Sequence, residues 1–124
     1  MAGYYTHIER RTKQNPYFRE VLFTGPFSQL VVMSLKPGEE IGLETHTSTD
    51  QFIRVEHGTG KAILDGQEYD LEEGSAMVIP AWTEHNVINT SVTEALKLYT
   101  IYSPPEHPEG AIHKTKAEAE RIHV

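Results

Sequence analysis

Cysteine is absent from this chain of 124 residues. The absence excludes disulfide bonds, thiolate metal sites and a cysteine nucleophile. A protein without disulfides fits a reducing compartment, and we therefore expect a cytoplasmic protein.

Long apolar runs and an excess of positive charge are also missing. No run reaches the roughly 18 apolar residues of a membrane span, and the N-terminal stretch contains no apolar run suited to a signal peptide. The 11 Lys and Arg residues are outnumbered by 18 Asp and Glu residues, giving a formal net charge of -7. No basic stripe is present that could follow a phosphate backbone. We expect neither a membrane nor nucleic acid as a partner.

Length and turn spacing predict one all-β domain. Domains usually hold about 100 to 200 residues, so the chain has room for a single core. Short apolar or alternating segments are separated by turns of Gly, Pro and Asp, a pattern typical of a sandwich or barrel. Asp65-Gly66 marks a tight two-residue hairpin. The predicted strands are residues 20–24, 28–35, 41–46, 51–57, 61–64, 67–71, 77–79, 85–89 and 96–102.

The ends of the chain lack the strand pattern. We predict an N-terminal arm over residues 1–20 with at most a short strand, a barrel over residues 21–105, and a loop with a short charged helix over residues 106–124. The helix is expected from about residue 114 to residue 122. His107, His113 and His123 are irregularly spaced in this tail, which favours solvated side chains over a second metal site.

Four polar side chains in the strand region have metal-ligand chemistry. Glu44 and His46 are two residues apart, so on a strand they point to the same side of the sheet. Gln51 begins the next predicted strand and lies on its inward face, and His85 begins a later strand. We expect these four side chains to meet at one point inside a barrel.

The spacing around these residues resembles the two sequence motifs of the cupins. The first motif, Gly-x5-His-x-His-x3,4-Glu-x6-Gly, has its counterpart in Gly38, Glu44 at the first His position, His46, Gln51 at the Glu position and Gly58. The second motif, Gly-x5-Pro-x-Gly-x2-His-x3-Asn, has its counterpart in Gly74, Pro80, Trp82 at the internal Gly position, His85 and Asn89. The resemblance covers about residues 37–89 and implies a double-stranded β-helix, which is a jelly-roll barrel.

The resemblance also implies a metal site. A typical cupin binds iron, manganese, nickel or zinc through three His and one Glu. The set Glu44, His46, Gln51 and His85 keeps two imidazoles and one carboxylate and adds an amide oxygen. It implies one divalent metal ion per chain (Zn, Ni, Mn or Fe). The alternative is a polar pocket that no longer binds metal tightly.

Three functions follow from the resemblance. The first is metal Lewis-acid chemistry of an isomerase or lyase type on a sugar, uronate or organic acid, with Glu44 as a catalytic base. The motifs are similar to those of small cupins grouped with the type II mannose-6-phosphate isomerase domain. The second is a non-haem iron dioxygenase, and the third a non-catalytic module that binds or senses a small molecule.

Aromatic side chains near the motifs are expected to shape a substrate pocket. Trp82 precedes His85, and Tyr99 and Tyr102 lie on the last predicted strand. No cluster of Lys and Arg is apparent near the pocket strands, which disfavours a phosphorylated substrate. Phe52 and Ile88 point outward, which suggests that the outer sheet is covered by a second subunit or by the N-terminal arm. The resemblance implies a homodimer.

Overall fold

The computed structural model describes residues 2–122 of the chain. Within this range two helices and nine strands follow one another. They are α1 (Ile8–Gln14), β1 (Arg19–Thr24), β2 (Gln29–Leu35), β3 (Asp50–His57), β4 (Gly60–Leu64), β5 (Gln67–Leu71), β6 (Ala76–Ile79), β7 (His85–Asn89), β8 (Leu96–Ser103), β9 (Ile112–His113) and α2 (Lys116–Ile122). Neither helix is long and apolar enough to cross a membrane, as far as the described residues go.

Two antiparallel sheets enclose the core. One sheet has six strands in the order β6-β3-β8-β2-β1-β9, and the other has three in the order β5-β4-β7. The largest apolar cluster draws residues from both sheets, including Met33, Ile53, Leu98 and Val87. Strand β8 buries every second side chain, as a strand with one face on a core should. The predicted jelly roll with a short C-terminal helix is confirmed.

The hairpin between β4 and β5 forms as predicted. Asp65 has a φ of 47° and Gly66 a φ of 83°. Two successive residues with positive φ are the requirement of a type I′ turn, which matches the twist of the flanking strands.

The N-terminal arm contains a helix, so the prediction of at most a short strand there is wrong. His7 caps α1 by accepting a hydrogen bond on Nδ1 from the backbone N–H of Arg10 at 3.2 Å. The helix ends at Gln14, because Pro16 disfavours the α conformation of the next residue, Asn15. Only Thr12 of α1 is buried, so the sequence shows no helical spacing of apolar residues that would have predicted the helix.

Helix α1 packs on β8, β3 and β2 and so covers part of the outer face that carries Phe52. The homodimer remains a prediction.

The predicted strand over residues 41–46 is also wrong. Gly42 adopts a φ of 110°, which interrupts the extended backbone. Only two isolated bridges remain, joining Glu40 to Ile88 and Glu44 to His85. The segment therefore follows the free edge of β7 with a break in the middle.

The C-terminal tail is packed rather than solvated. Its short strand β9, which the sequence pattern did not indicate, pairs with β1. His113 on β9 is buried, and the ring centroid of the half-buried His107 lies 5.0 Å from that of Tyr102. The expectation of solvated side chains is wrong for these two residues, because long-range pairing had no local signal. His123 lies outside the described residues.

Candidate metal centre

Backbone pairing places Glu44 directly beside His85. The N–H of each residue donates to the carbonyl of the other at 2.9 Å. Asn86 supports the bend before Glu44, because its Oδ1 accepts from the Gly42 N–H at 2.9 Å and its Nδ2 donates to Glu40 at 3.1 Å. The bend thus fixes the position from which Glu44 extends.

Three donor atoms converge at this point. Oε1 of Glu44 lies 3.4 Å from Nε2 of His46 and 3.5 Å from Nε2 of His85. One potential ligand atom from each side chain lies within 4.8 Å of the other two. The backbone carbonyl of His46 accepts a hydrogen bond from the Trp82 N–H at 2.7 Å, which joins the two motif loops. The structure therefore brings Glu44, His46 and His85 together.

The hydrogen-bond partners of Nδ1 in His46 and His85 determine whether Nε2 carries a hydrogen or a lone pair. Nδ1 of His85 lies 2.8 Å from the Thr83 carbonyl, which can only accept, so Nδ1 carries the hydrogen. Nδ1 of His46 lies 3.3 Å from Oε1 of Glu106, another acceptor. In the neutral imidazoles both Nε2 atoms then present lone pairs toward the Glu44 carboxylate. A His that binds a metal through one ring nitrogen usually donates the N–H of the other ring nitrogen to an acceptor of this kind.

The buried atoms at this site fit a cation. Nε2 of His46, Nε2 of His85 and Oε1 of Gln51 are buried, and none has a hydrogen-bond partner in the part of the chain that the structure describes. Buried polar atoms nearly always have one. Two imidazole nitrogens, a carboxylate and an amide oxygen form a donor set that first-row metals accept. The residues present therefore fit a divalent metal ion.

Gln51 is held in place by its amide nitrogen. Nε2 donates to Oγ1 of Thr100 at 3.0 Å and to the Tyr102 hydroxyl at 3.3 Å, which leaves Oε1 free. The Tyr102 ring meets His46 edge-on, with ring centroids 5.8 Å apart. The amide oxygen is thus available as a fourth ligand beside the two His and the Glu.

The charges of the site reinforce one another. Burial raises the pKa of Glu44, but His46 and His85 outweigh it and lower the pKa to about 2. Glu44 in turn raises the pKa of His46 against the effect of burial, with a smaller contribution from Glu106. The carboxylate is therefore ionised at neutral pH and attracts a cation.

The three aromatic residues predicted for the pocket lie in different places. Tyr102 is buried against His46 and Gln51, and its burial raises the pKa of its hydroxyl. Tyr99 lies on the opposite face of β8 and packs near Phe52, with ring centroids 6.1 Å apart. Trp82 is 72% exposed and has a φ of 74°, a backbone conformation that explains why the motif carries Gly at this position. Only Tyr102 joins the metal centre.

Sequence reasoning missed Glu106. Its Oε1 faces Nδ1 of His46, and its Oε2 accepts a hydrogen bond from Oγ1 of Thr49 at 3.2 Å. The backbone N–H of Glu106 donates to Gln29 at 3.2 Å. Glu106 follows Pro104-Pro105 and lies outside both motifs, so no local pattern marked it.

Two cations lie near Glu44 that the sequence pattern did not indicate. Arg19 and Lys116 line a small cavity that Glu44 also lines. Arg19 is the first residue of β1, and Lys116 comes from α2, far along the chain. A larger cavity of about 290 Å³, lined by Tyr69 and Met77 among others, contains none of the metal-site residues.

Comparisons with known proteins agree with the fold and with the motif positions. Residues 31–102 match the family model described as the cupin domain. The uncharacterized protein YrkC of Bacillus subtilis is 50% identical over 119 residues, and the match spans 91% of this chain but only 63% of that protein. The quercetin 2,3-dioxygenase of the same species is 31% identical over 97 residues, which cover 78% of this chain and 29% of that enzyme.

A solved structure is similar over almost the whole chain. The crystal structure of BH2720 from Bacillus halodurans superimposes with a TM-score of 0.94 at 43% identity, and the match covers 97% of this chain and 95% of that one. At this coverage the match extends on both sides of residues 31–102, which the family model covers. This chain belongs to the cupin family.

Proposed function

We propose that this cupin binds one divalent transition-metal ion and uses it to act on a small polar organic molecule. Glu44, His46 and His85 are the proposed ligands, with the amide oxygen of Gln51 as a fourth. One observation carries the proposal. Two buried Nε2 atoms without a hydrogen-bond partner among the described residues face the same carboxylate at 3.4 and 3.5 Å, an arrangement that a bound cation stabilises. The mixed nitrogen and oxygen set accommodates Zn, Ni, Mn or Fe.

The proposed reaction is Lewis-acid chemistry of an isomerase or lyase type. When bound, the metal supplies polarisation of a carbonyl or hydroxyl oxygen of a sugar, uronate or organic acid. Glu106 and the Thr83 carbonyl hold the two imidazoles in the orientation that ligation requires. Tyr102 and Gln51 seal the buried side of the centre.

The low pKa of Glu44 bears on its role. A general base works best when its pKa lies near the working pH. A carboxylate with a pKa of about 2 is a poor proton acceptor at neutral pH. We therefore assign Glu44 as a metal ligand ahead of the role of catalytic base that the sequence suggested.

A non-haem iron dioxygenase is the second candidate. Two His and one carboxylate are the residue set with which such oxygenases hold iron, and Glu44, His46 and His85 would provide it. A relative that bears the name quercetin 2,3-dioxygenase adds to this candidate. A dioxygenase consumes oxygen with its substrate, whereas Lewis-acid chemistry proceeds without oxygen.

The test is a substrate screen with and without oxygen. Metal-loaded protein is incubated with sugars, uronates and organic acids, while NMR follows products and an electrode follows oxygen. Turnover without oxygen supports Lewis-acid chemistry, and turnover coupled to oxygen uptake supports the dioxygenase. His46→Ala should abolish either activity. The half-buried His57 lies outside the metal set, 3.7 Å from Glu94, and provides the matched control His57→Ala. Turnover retained by His46→Ala refutes the proposal, and ligand binding without turnover in the wild type indicates a sensing module.

A further inference from the structure

Arg19 is a buried cation that has no anionic partner among the described residues. Its side chain enters the protein from the first position of β1, and the residue is 5% exposed. Nη1 contacts Nδ1 of His113 at 3.2 Å, and the guanidinium carbon lies 5.3 Å from the centre of the Phe18 ring. Nε is buried and has no hydrogen-bond partner among residues 2–122. None of the ion pairs within this range includes Arg19. A buried charge without a counterion is costly, so an external anion is expected to supply one.

The cavity beside Arg19 shares one wall residue, Glu44, with the metal centre. It has a volume of about 80 Å³ and is lined by Arg19, Lys116, Glu44 and Glu120, with Phe18 and Ile41 among its walls. A cavity needs roughly 10–15 Å³ on this measure to hold one water molecule, so this cavity has room for the carboxylate of a small acid. Glu44 belongs to both sites, because it lines the cavity and is one of the proposed metal ligands.

The charge balance of the cavity favours an anion once a metal is bound. Nζ of Lys116 lies 3.8 Å from Oε1 of Glu120, a loose pair that leaves the ammonium free to turn. Arg19 and Lys116 together balance Glu44 and Glu120. A divalent ion on Glu44 then leaves two positive charges in excess. A guanidinium binds a carboxylate with directional hydrogen bonds, and an ammonium adds a mobile donor.

We propose that this cavity is a carboxylate subsite of the metal centre. Arg19 and Lys116 bind the carboxylate of a small hydroxy acid or oxo acid, and the neighbouring oxygen of that acid reaches the metal on Glu44, His46 and His85. The inference rests on the proposed function for the metal. It deepens that function by naming the substrate class: a small organic acid rather than a neutral sugar.

The test measures binding of glycolate by isothermal titration calorimetry. Wild-type protein is titrated both loaded with Zn²⁺ and stripped of metal, and ethylene glycol serves as the uncharged counterpart. We expect the loaded protein to bind glycolate and not ethylene glycol. Arg19→Gln should weaken glycolate binding by about tenfold or more, and Lys116→Gln should weaken it several-fold. Arg54→Gln is the matched control, because Arg54 lies on the outer face and pairs with Glu56 at 2.6 Å.

The metal content of each variant separates the two proposals. Variants that keep the metal and lose glycolate support the subsite. Unchanged glycolate binding in Arg19→Gln and Lys116→Gln overturns it, as does a wild type that binds no glycolate in either form. A wild type without metal refutes the proposed function alone, provided that the stripped protein still binds glycolate through Arg19. If Arg19→Gln does not fold, Lys116→Gln decides, because Lys116 is partly exposed.

Discussion

Glu106 should be the residue outside the two motifs whose loss weakens metal binding most. Its carboxylate lies 3.3 Å from Nδ1 of His46. A carboxylate can only accept there, so in the neutral ring the hydrogen is on Nδ1 and the lone pair on Nε2. Thr49 holds the other carboxylate oxygen at 3.2 Å. Loss of such an acceptor typically lowers metal affinity by about 10-fold to 100-fold.

The size of the effect depends on what replaces the carboxylate. The amide oxygen of Glu106→Gln can still accept the Nδ1 hydrogen, so only the charge is lost. We expect an affinity loss near the lower limit, about tenfold or 1.4 kcal/mol. Glu106→Ala removes both the charge and the acceptor. Its loss should approach about 100-fold, or 2.7 kcal/mol.

The assay is competition for Zn²⁺ with a chelator of known affinity, at fixed pH and salt. Glu94→Gln serves as the control, because Glu94 also faces a His, at 3.7 Å, but that residue is His57 on the surface. The control should bind metal as the wild type does. Wild-type affinity in Glu106→Ala would refute the orientation of His46 described above.

Three further predictions concern the same site. Gln51→Glu places a second carboxylate at a position that is 2% exposed. We expect the free energy of unfolding of the metal-free protein to fall by about 1–3 kcal/mol and added metal to restore it. A thermal melt in which the metal-free variant is more stable than the wild type contradicts this. Trp82 has a φ of 74°, and Trp82→Gly removes the backbone strain of about 1–2 kcal/mol that a side chain causes there. The greater freedom of glycine in the unfolded chain offsets roughly 0.5–1 kcal/mol of this gain. The melting temperature should therefore rise by a few degrees rather than fall. The pKa of His46 is raised above 6.5, so a proton competes with metal below that raised pKa and affinity should fall by about tenfold per pH unit there; a flat profile contradicts the ligand assignment.

The same pKa shifts set the pH dependence of the metal-free protein in the opposite direction for His46. Its pKa is raised by Glu44, so its contribution to stability is fully present below 6.5 and is lost as the pH rises through the raised value. The pKa of Glu44 is lowered to about 2, so its contribution is present above 4.5 and is lost as the pH falls toward 2. Both contributions to stability are fully present together only between about pH 4.5 and pH 6.5.

The strands and the cluster of Glu44, His46 and His85 were accessible from the sequence because their signals are local. Alternation and turn residues gave β8 and the hairpin at Asp65, which depend on neighbours a few positions away. The spacing of Glu44, His46 and His85 within two motifs indicated their meeting point, which the structure shows. The spacing of residues within a known motif therefore predicts which of their side chains lie close together.

The remaining features depend on contacts between distant segments. Helix α1 is short and mostly exposed, so it has no apolar stripe to announce it. Glu106 reaches His46 from the loop after β8, and Arg19 and Lys116 line the same cavity although they are far apart in the sequence. Gly42 breaks a segment that alternation alone predicts to be a strand. Such relations depend on tertiary pairing, which overrides local preference.

The most direct test of the central claim is elemental analysis of the purified untagged protein beside the double variant His46→Ala/His85→Ala. We expect one divalent ion per chain in the wild type and none in the double variant, since both imidazole nitrogens are lost. His57→Ala should retain the ion. Full metal content in the double variant, or a wild type that holds no divalent ion after incubation with Zn, Ni, Mn and Fe, would contradict the metal centre.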